Sequence, residues 1–220
     1  MSEDGKKIAL LIAAVCGIFF SLFCVVMFNA YVLSFLPLPA RMMSVIVSQW
    51  FLLATPIILT IAGKEKNFGL DIKKERLPQQ IFVGLCIAAA MSLVLTVLPI
   101  LFGLKEFVGA TNYTEAWQFA FEFIFMLVGV ALAEELIFRG YIFKKLLEIK
   151  NSRWFAIVVS SALFGLFHIF SGSPLQIIIT ASIGFFYCVC REKIKNCTIV
   201  SLIVAHGVYN ALITLWVGIL

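Results

Sequence analysis

Residues Trp117–Arg139 read WQFAFEFIFMLVGVALAEELIFR. The run is long enough and apolar enough to cross a bilayer as a helix, which takes about 20 residues. It nevertheless ends on three charges within one and a half turns, Glu134, Glu135 and Arg139. A carboxylate near the middle of a span costs roughly 2.5–3.5 kcal/mol on insertion scales, so two of them need a reason. Spacing supplies part of it. Glu135 and Arg139 are four apart and share a helix face, with the acid first, which is the favourable order. Glu134 is turned about 100° from Glu135 and is offered to something else.

The rest of the chain has the same apolar character. Of its 220 residues 62% are hydrophobic and 13% charged, and the mean hydropathy is +1.06. That composition is far from a soluble globular domain. The reading is an all-α, polytopic transmembrane helical bundle forming a single domain over 1–220, with the chemistry concentrated in 117–212. No polar stretch could hold a second, soluble domain. The net charge of +5 belongs to loops facing anionic lipid. No basic patch interleaved with aromatics suggests nucleic acid.

Seven apolar runs follow one another. They cover about Ile8–Leu33, Met42–Ala62 and Ile81–Leu104, then the run from Trp117, then Trp154–Phe170, Leu175–Cys190 and Thr198–Trp216. Pro37 and Pro39 separate the first two. The first run is too long for a signal-peptide core and reads as a retained span. Basic residues alternate between rich and poor connections. Rich ones hold Lys6 and Lys7; Lys64, Lys66, Lys73, Lys74 and Arg76; Arg139, Lys144, Lys145, Lys150 and Arg153; and Arg191, Lys193 and Lys195. Poor ones hold Arg41, Lys105 or no basic residue. The positive-inside rule then gives about seven spans with the N-terminus in the cytoplasm. The connection 63–80 interleaves Phe68, Leu70 and Ile72 with charge. It reads as a solvated loop, or as a segment lying on the lipid interface. Six cysteines, Cys16, Cys24, Cys86, Cys188, Cys190 and Cys197, lack metal-finger spacing and read as small apolar residues within helices.

The chain has only two histidines, His168 and His206, and both fall in apolar runs. If the fourth helix continues past Arg139 and turns near Asn151-Ser152, Glu134 and His168 lie 17 positions either side of residue 151. An antiparallel pair then holds them at one depth, to within about one 5.4 Å turn. Phe164 shares a helix face with His168 and can wall its imidazole. His206 and Asn210 share a face of the last run. An acid beside a histidine can polarise a water and take its proton. A second histidine and an amide can hydrogen-bond the oxygen that turns negative when water adds to a carbonyl. No serine or cysteine has a base at motif spacing, so a covalent nucleophile is not favoured. Glu122 reads as an interfacial acid that snorkels or pairs with a polar neighbour.

Three motifs stand in order: Glu134-Glu135-Leu136-Ile137-Phe138-Arg139 (EExxxR), Phe164-Gly165-Leu166-Phe167-His168 (FxxxH) and His206-Gly207-Val208-Tyr209-Asn210 (HxxxN). Together they resemble the CPBP family of CAAX proteases and bacteriocin-processing enzymes, also called Abi, which includes the type II CAAX prenyl endopeptidases. The resemblance implies an intramembrane glutamate-dependent peptidase acting on a peptide or membrane-protein substrate. It implies Glu134 and His168 as the water-activating pair, His206 and Asn210 as the oxyanion site, and Glu135 and Arg139 as support. No cofactor is expected on this reading; a zinc-dependent alternative would use Glu134, His168 and His206. Two further alternatives are a non-enzymatic membrane regulator or bacteriocin immunity protein, and a proton relay. The expected location is a bacterial cell membrane, with lipid as the surrounding solvent.

Overall fold

The computed structural model describes residues 2–65, 67–109, 113–171 and 173–220, so Lys66 of the 63–80 connection lies outside the described residues. Among the described residues the chain is helical with no strands. Helix α1 is Glu3–Tyr31, opened by Ser2, whose side chain accepts from the Gly5 N–H. Helix α2 is Leu38–Phe51 and α3 is Ala54–Ala62. Helix α4 occupies 77–101, with a π-helical stretch at Leu93–Val97. Helix α5 occupies 116–149. The remaining long helices are α6 (Arg153–Phe167), α7 (Pro174–Lys193) and α8 (Ile199–Ile219). All seven apolar runs are thus helical. Among the described residues four helices are long and apolar enough to cross a membrane, and the bent pair α2 and α3 makes a fifth if counted as one span.

The six prolines account for much of this segmentation. Pro37, Pro39, Pro78 and Pro174 stand at helix starts, where a missing N–H costs nothing. Pro56 is the third residue of α3, just past the bend, and Pro99 lies inside α4. Pro56 has no N–H to give the Leu52 carbonyl four residues back, and the chain bends by 40° between α2 and α3. The expected single run Met42–Ala62 is therefore a broken one. Pro99 withholds its bond from Leu95, and the π-helical stretch Leu93–Val97 lies at that position.

The chain packs as two compact units. The first comprises Met1–Asp71 and Ala133–Ile194, the second Ile72–Leu132 and Lys195–Leu220. In the first, Ile18 of α1 joins Leu52, Ile137, Tyr141, Leu146, Ile157 and Phe167 in one buried cluster. Here α5 and α6 form a hairpin. It turns at Lys150–Ser152, with the Ser152 side chain accepting from the Phe155 N–H. Within this unit Glu65 pairs with Lys144 and Lys145, Asp71 with Arg191, and Arg153 with Glu192. The basic connections after α3, α5 and α7 therefore lie at one end of it. In the connection 63–80, Gly63, Lys64, Asn67 and Leu70 are exposed, while Glu65, Phe68, Gly69 and Asp71 are partly buried. Glu65 and residues 67–71 are fastened to the helices, with Phe68 against Tyr141 at 5.5 Å between ring centroids.

In the second unit α4 and α8 run in the same direction. Thr198 donates to Gln80 at 2.5 Å near their starts, and Trp216 Nε1 donates to Ser92 at 2.8 Å farther along. Arg76 donates to Asn196 at 3.1 Å, so the basic connections before both helices share an end of this unit. Lipid gives apolar helices no reason to prefer one another, so close backbone approach and buried polar pairs must hold such a bundle. At Gly207 of α8 a Cβ would stand 2.6 Å from Leu127 Cα of α5, a distance open only to glycine. Glu122 is buried and accepts from the Tyr113 hydroxyl at 3.3 Å, the polar partner its position calls for.

Candidate active site

The motif EExxxR lies on α5, whose local geometry is not a plain α-helix. It alternates: α-helical Ala116–Ile124, π-helical Phe125–Ala131, α-helical Leu132–Glu135, π-helical Leu136–Ile142 and α-helical Phe143–Ile149. The two glutamates thus occupy a single α-turn between two wide ones. Such bulges are rare and recur at functional sites. Apolar periodicity gives no sign of them here.

Glu135 and Arg139 form the ion pair their spacing predicts, with Nη1 to Oε1 at 3.0 Å and both side chains 0% exposed. The guanidinium also lies over aromatic faces, 4.2 Å from the centroid of Phe164 and 5.6 Å from that of Tyr187. A desolvated cation over a ring gains roughly 2 kcal/mol. Glycine at 184 makes room for the arrangement. A Cβ there would meet Phe164 Cδ1 at 2.9 Å and Arg139 Nη2 at 3.1 Å. Glu134, 5% exposed, is buried beside this pair.

His168 is not inside α6 but ends it, as the residue after Phe167, and the chain continues into a 3-10 turn at Ile169–Ser171. Its Nδ1 is 3.0 Å from the Phe164 carbonyl oxygen. A carbonyl only accepts, so in the neutral ring Nδ1 carries the proton and Nε2 the lone pair. Phe164 walls the imidazole edge-on at 5.1 Å, and Phe167 does so at 5.8 Å. The Phe164 ring therefore touches both Arg139 of the first motif and His168 of the second. Phe138 adds to the same cluster, 5.2 Å from both Phe164 and Phe167, and its carbonyl accepts from Ser160 at 2.8 Å. Phe138 and Phe164 each lie 13 positions from Asn151 (151 − 138 and 164 − 151), so the hairpin is in register at that level. Glu134 and His168 follow four residues farther along each arm.

His206 and Asn210 belong to the second unit, one turn apart on α8, with His206 5% exposed and Asn210 partly buried. The structure thus gathers Glu134, Glu135, Arg139 and His168 in the first unit and His206 and Asn210 in the second. Within each unit, among the described residues, no three His, Cys, Asp or Glu side chains are grouped to hold a metal ion. Sequence reasoning missed Gly184 and Tyr187, which border the buried guanidinium from α7. It also missed Arg191, whose Nη1 donates to the Arg139 carbonyl at 2.5 Å. A glycine, a tyrosine and a loop arginine carry no motif of their own, and only the packing reveals them.

Comparison with known proteins gives one result. Residues 116–212 match the family described as Type II CAAX prenyl endopeptidase Rce1-like. No curated protein and no solved structure matches the chain. The matched span contains all three motifs, and the apolar helices fit an integral membrane protein. The match to the type II CAAX prenyl endopeptidase Rce1-like family over residues 116–212 of this polytopic membrane protein thus supports the CPBP resemblance that the three motifs carry.

Proposed function

We propose that the protein is an intramembrane endopeptidase that cleaves peptide or membrane-associated protein substrates by direct attack of water. Glu134 takes a proton from the water as its oxygen bonds to the scissile carbonyl carbon. His168, with Nδ1–H tied to the Phe164 carbonyl, keeps Nε2 available to orient that water. The negative charge that develops on the carbonyl oxygen is met by His206 and Asn210 as hydrogen-bond donors. When the carbon–nitrogen bond breaks, the proton held by Glu134 passes to the leaving amine. Glu135 and Arg139 pair with each other and fix the turn that carries Glu134.

The observation that carries this reading is the Phe164 ring, packed against both Arg139 and His168 inside a protease-family domain, with Glu134 buried alongside. A buried ion pair meant only as structural glue does not need an extra adjacent carboxylate. The chain as a whole acts as one membrane domain. The gathering of basic connections at one end of each unit supports seven crossings with the N-terminus in the cytoplasm.

The test is cleavage of a quenched peptide library by purified protein in detergent, comparing wild type with Glu134→Ala and His168→Ala. A general base contributes about 10²–10⁴-fold, so both variants should fall by that order. Equal cleavage by all three removes the enzyme reading in favour of a non-catalytic membrane partner. Metal analysis, with the assay repeated in chelator, separates direct water attack from a zinc site formed by Glu134, His168 and His206.

A further inference from the structure

The π-helical stretch Leu136–Ile142 follows Glu134-Glu135 directly, and Arg139 lies at its centre. Its side chain is held by Glu135 at 3.0 Å. Its backbone carbonyl is held by a different charge. Arg191, near the C-terminal end of α7, donates Nη1 to that carbonyl at 2.5 Å. A carbonyl inside a helix ordinarily takes its bond from the helix itself. An inserted side chain is one of the few causes of local distortion in a helical ladder, and a charged donor makes the stronger bond.

The same guanidinium makes two more contacts. Nε donates to Asp71 Oδ2 at 3.0 Å and Nη2 to the Gly69 carbonyl at 3.4 Å. Its face lies 5.6 Å from the Phe143 ring centroid. All five donors of a guanidinium lie in one rigid plane, so this geometry uses what lysine cannot supply. Gly69 is the hinge of the arrangement. Its φ is +82°, and a Cβ there would overlap the Gly140 carbonyl, within the same wide turn. Lys144 of α5 further holds the stretch by donating to the Asn67 carbonyl at 2.9 Å. Glu65 and residues 67–71 thus form a strap across the wide turn, and Arg191 is the rivet.

We propose that Arg191 is a positioning residue for the proposed peptidase reaction: it grips the Arg139 carbonyl and ties it to the 67–71 strap, which fixes the rotation of the turn that presents Glu134. This inference rests on the proposed peptidase function. Arg191 touches neither substrate nor reacting atoms in that scheme. Its effect should therefore appear in turnover and not in substrate binding, because misplacement of a base by about 1 Å costs up to about 10²-fold.

The experiment compares the full-length wild type with Arg191→Gln, Arg191→Lys, Asp71→Asn and Glu134→Ala in the quenched-peptide assay. Hydrogen exchange of amides 136–144 is measured alongside. Arg191→Gln should lower kcat by at least about tenfold with KM within about twofold, and should speed exchange in 136–144. Arg191→Lys, which keeps one charged donor for the Arg139 carbonyl, should recover part of kcat. Asp71→Asn, which loosens only the strap, should cost about twofold to threefold. Wild-type kcat in Arg191→Gln, or a loss confined to KM, overturns the positioning role. So does a loss that Arg191→Lys does not relieve, or unchanged exchange in 136–144. A wild type no faster than Glu134→Ala overturns the peptidase reading itself, and the positioning role of Arg191 with it.

Discussion

Replacing Arg139 by methionine removes the cation and leaves a similar apolar volume. The Glu135 carboxylate then remains, fully buried, without the guanidinium now 3.0 Å away, and the Phe164 face loses the cation at 4.2 Å. Breaking a buried pair from one side costs about 3–5 kcal/mol, because the remaining charge stays desolvated. For a chain of this size each kcal/mol moves the melting point by about 2–4 °C, so Arg139→Met should melt roughly 6–20 °C below wild type. The second half of the cycle is more diagnostic. Replacing both partners, Glu135→Leu with Arg139→Met, removes the buried carboxylate as well. It should restore stability to within about 1–2 kcal/mol of wild type, since apolar substitutes for buried pairs are often neutral. Thermal unfolding in one detergent, followed by tryptophan fluorescence, reads all three proteins. The reasoning is refuted if Arg139→Met melts within about 2 °C of wild type, or if the double variant is no more stable than the single one.

Two other perturbations read other parts of the packing. Lys144 and Lys145 hold the Glu65 carboxyl below its ordinary value of 4.5, although burial alone would raise it. Its folded-state pKa is lowered, so its stabilisation is complete above about pH 4.5 and is lost as pH falls through the depressed value. Proteolysis or hydrogen exchange of 63–71 should therefore quicken only below that pH in wild type, whereas Glu65→Gln should be loosened already at neutral pH. Gly184→Ala would place a methyl 2.9 Å from Phe164 and 3.1 Å from the Arg139 guanidinium, so it should cost about 1–3 kcal/mol by overpacking, measured as a fall in melting point.

The sequence disclosed much of this because several of the decisive interactions are local. Glu135 and Arg139 are four apart, and that spacing alone predicts their pair. Phe164 and His168 meet for the same reason. The turn at Asn151-Ser152 is legible from its polar break in an apolar run. The wide turns at 125–131 and 136–142 were not, because a periodicity argument assumes 3.6 residues per turn and cannot register an extra residue. The fastening of Glu65 and residues 67–71 to the helices was not legible for a different cause. The partners, Lys144 for Glu65 and Arg191 for Asp71, lie 79 and 120 positions away, and charge interleaved with Phe68 and Leu70 fits a loop equally well. Pro56 gave a usable signal. The rule that marks Pro37 and Pro39 as breaks also applies there.

The same-direction pairing of α4 and α8 has a consequence for biosynthesis. Residues 72–132 leave the ribosome well before 199–219, with the 133–194 segment of the other unit between them. At about 5–20 residues per second the first piece waits roughly 3–13 s in the membrane for its partner helix. During that interval Gln80 cannot yet meet Thr198, nor Ser92 meet Trp216. Glu122 needs no such delay, since Tyr113 arrives nine residues ahead of it. The costliest polar group in the waiting piece is thus relieved at once, and the milder amide and hydroxyl groups are left to the late-arriving helix.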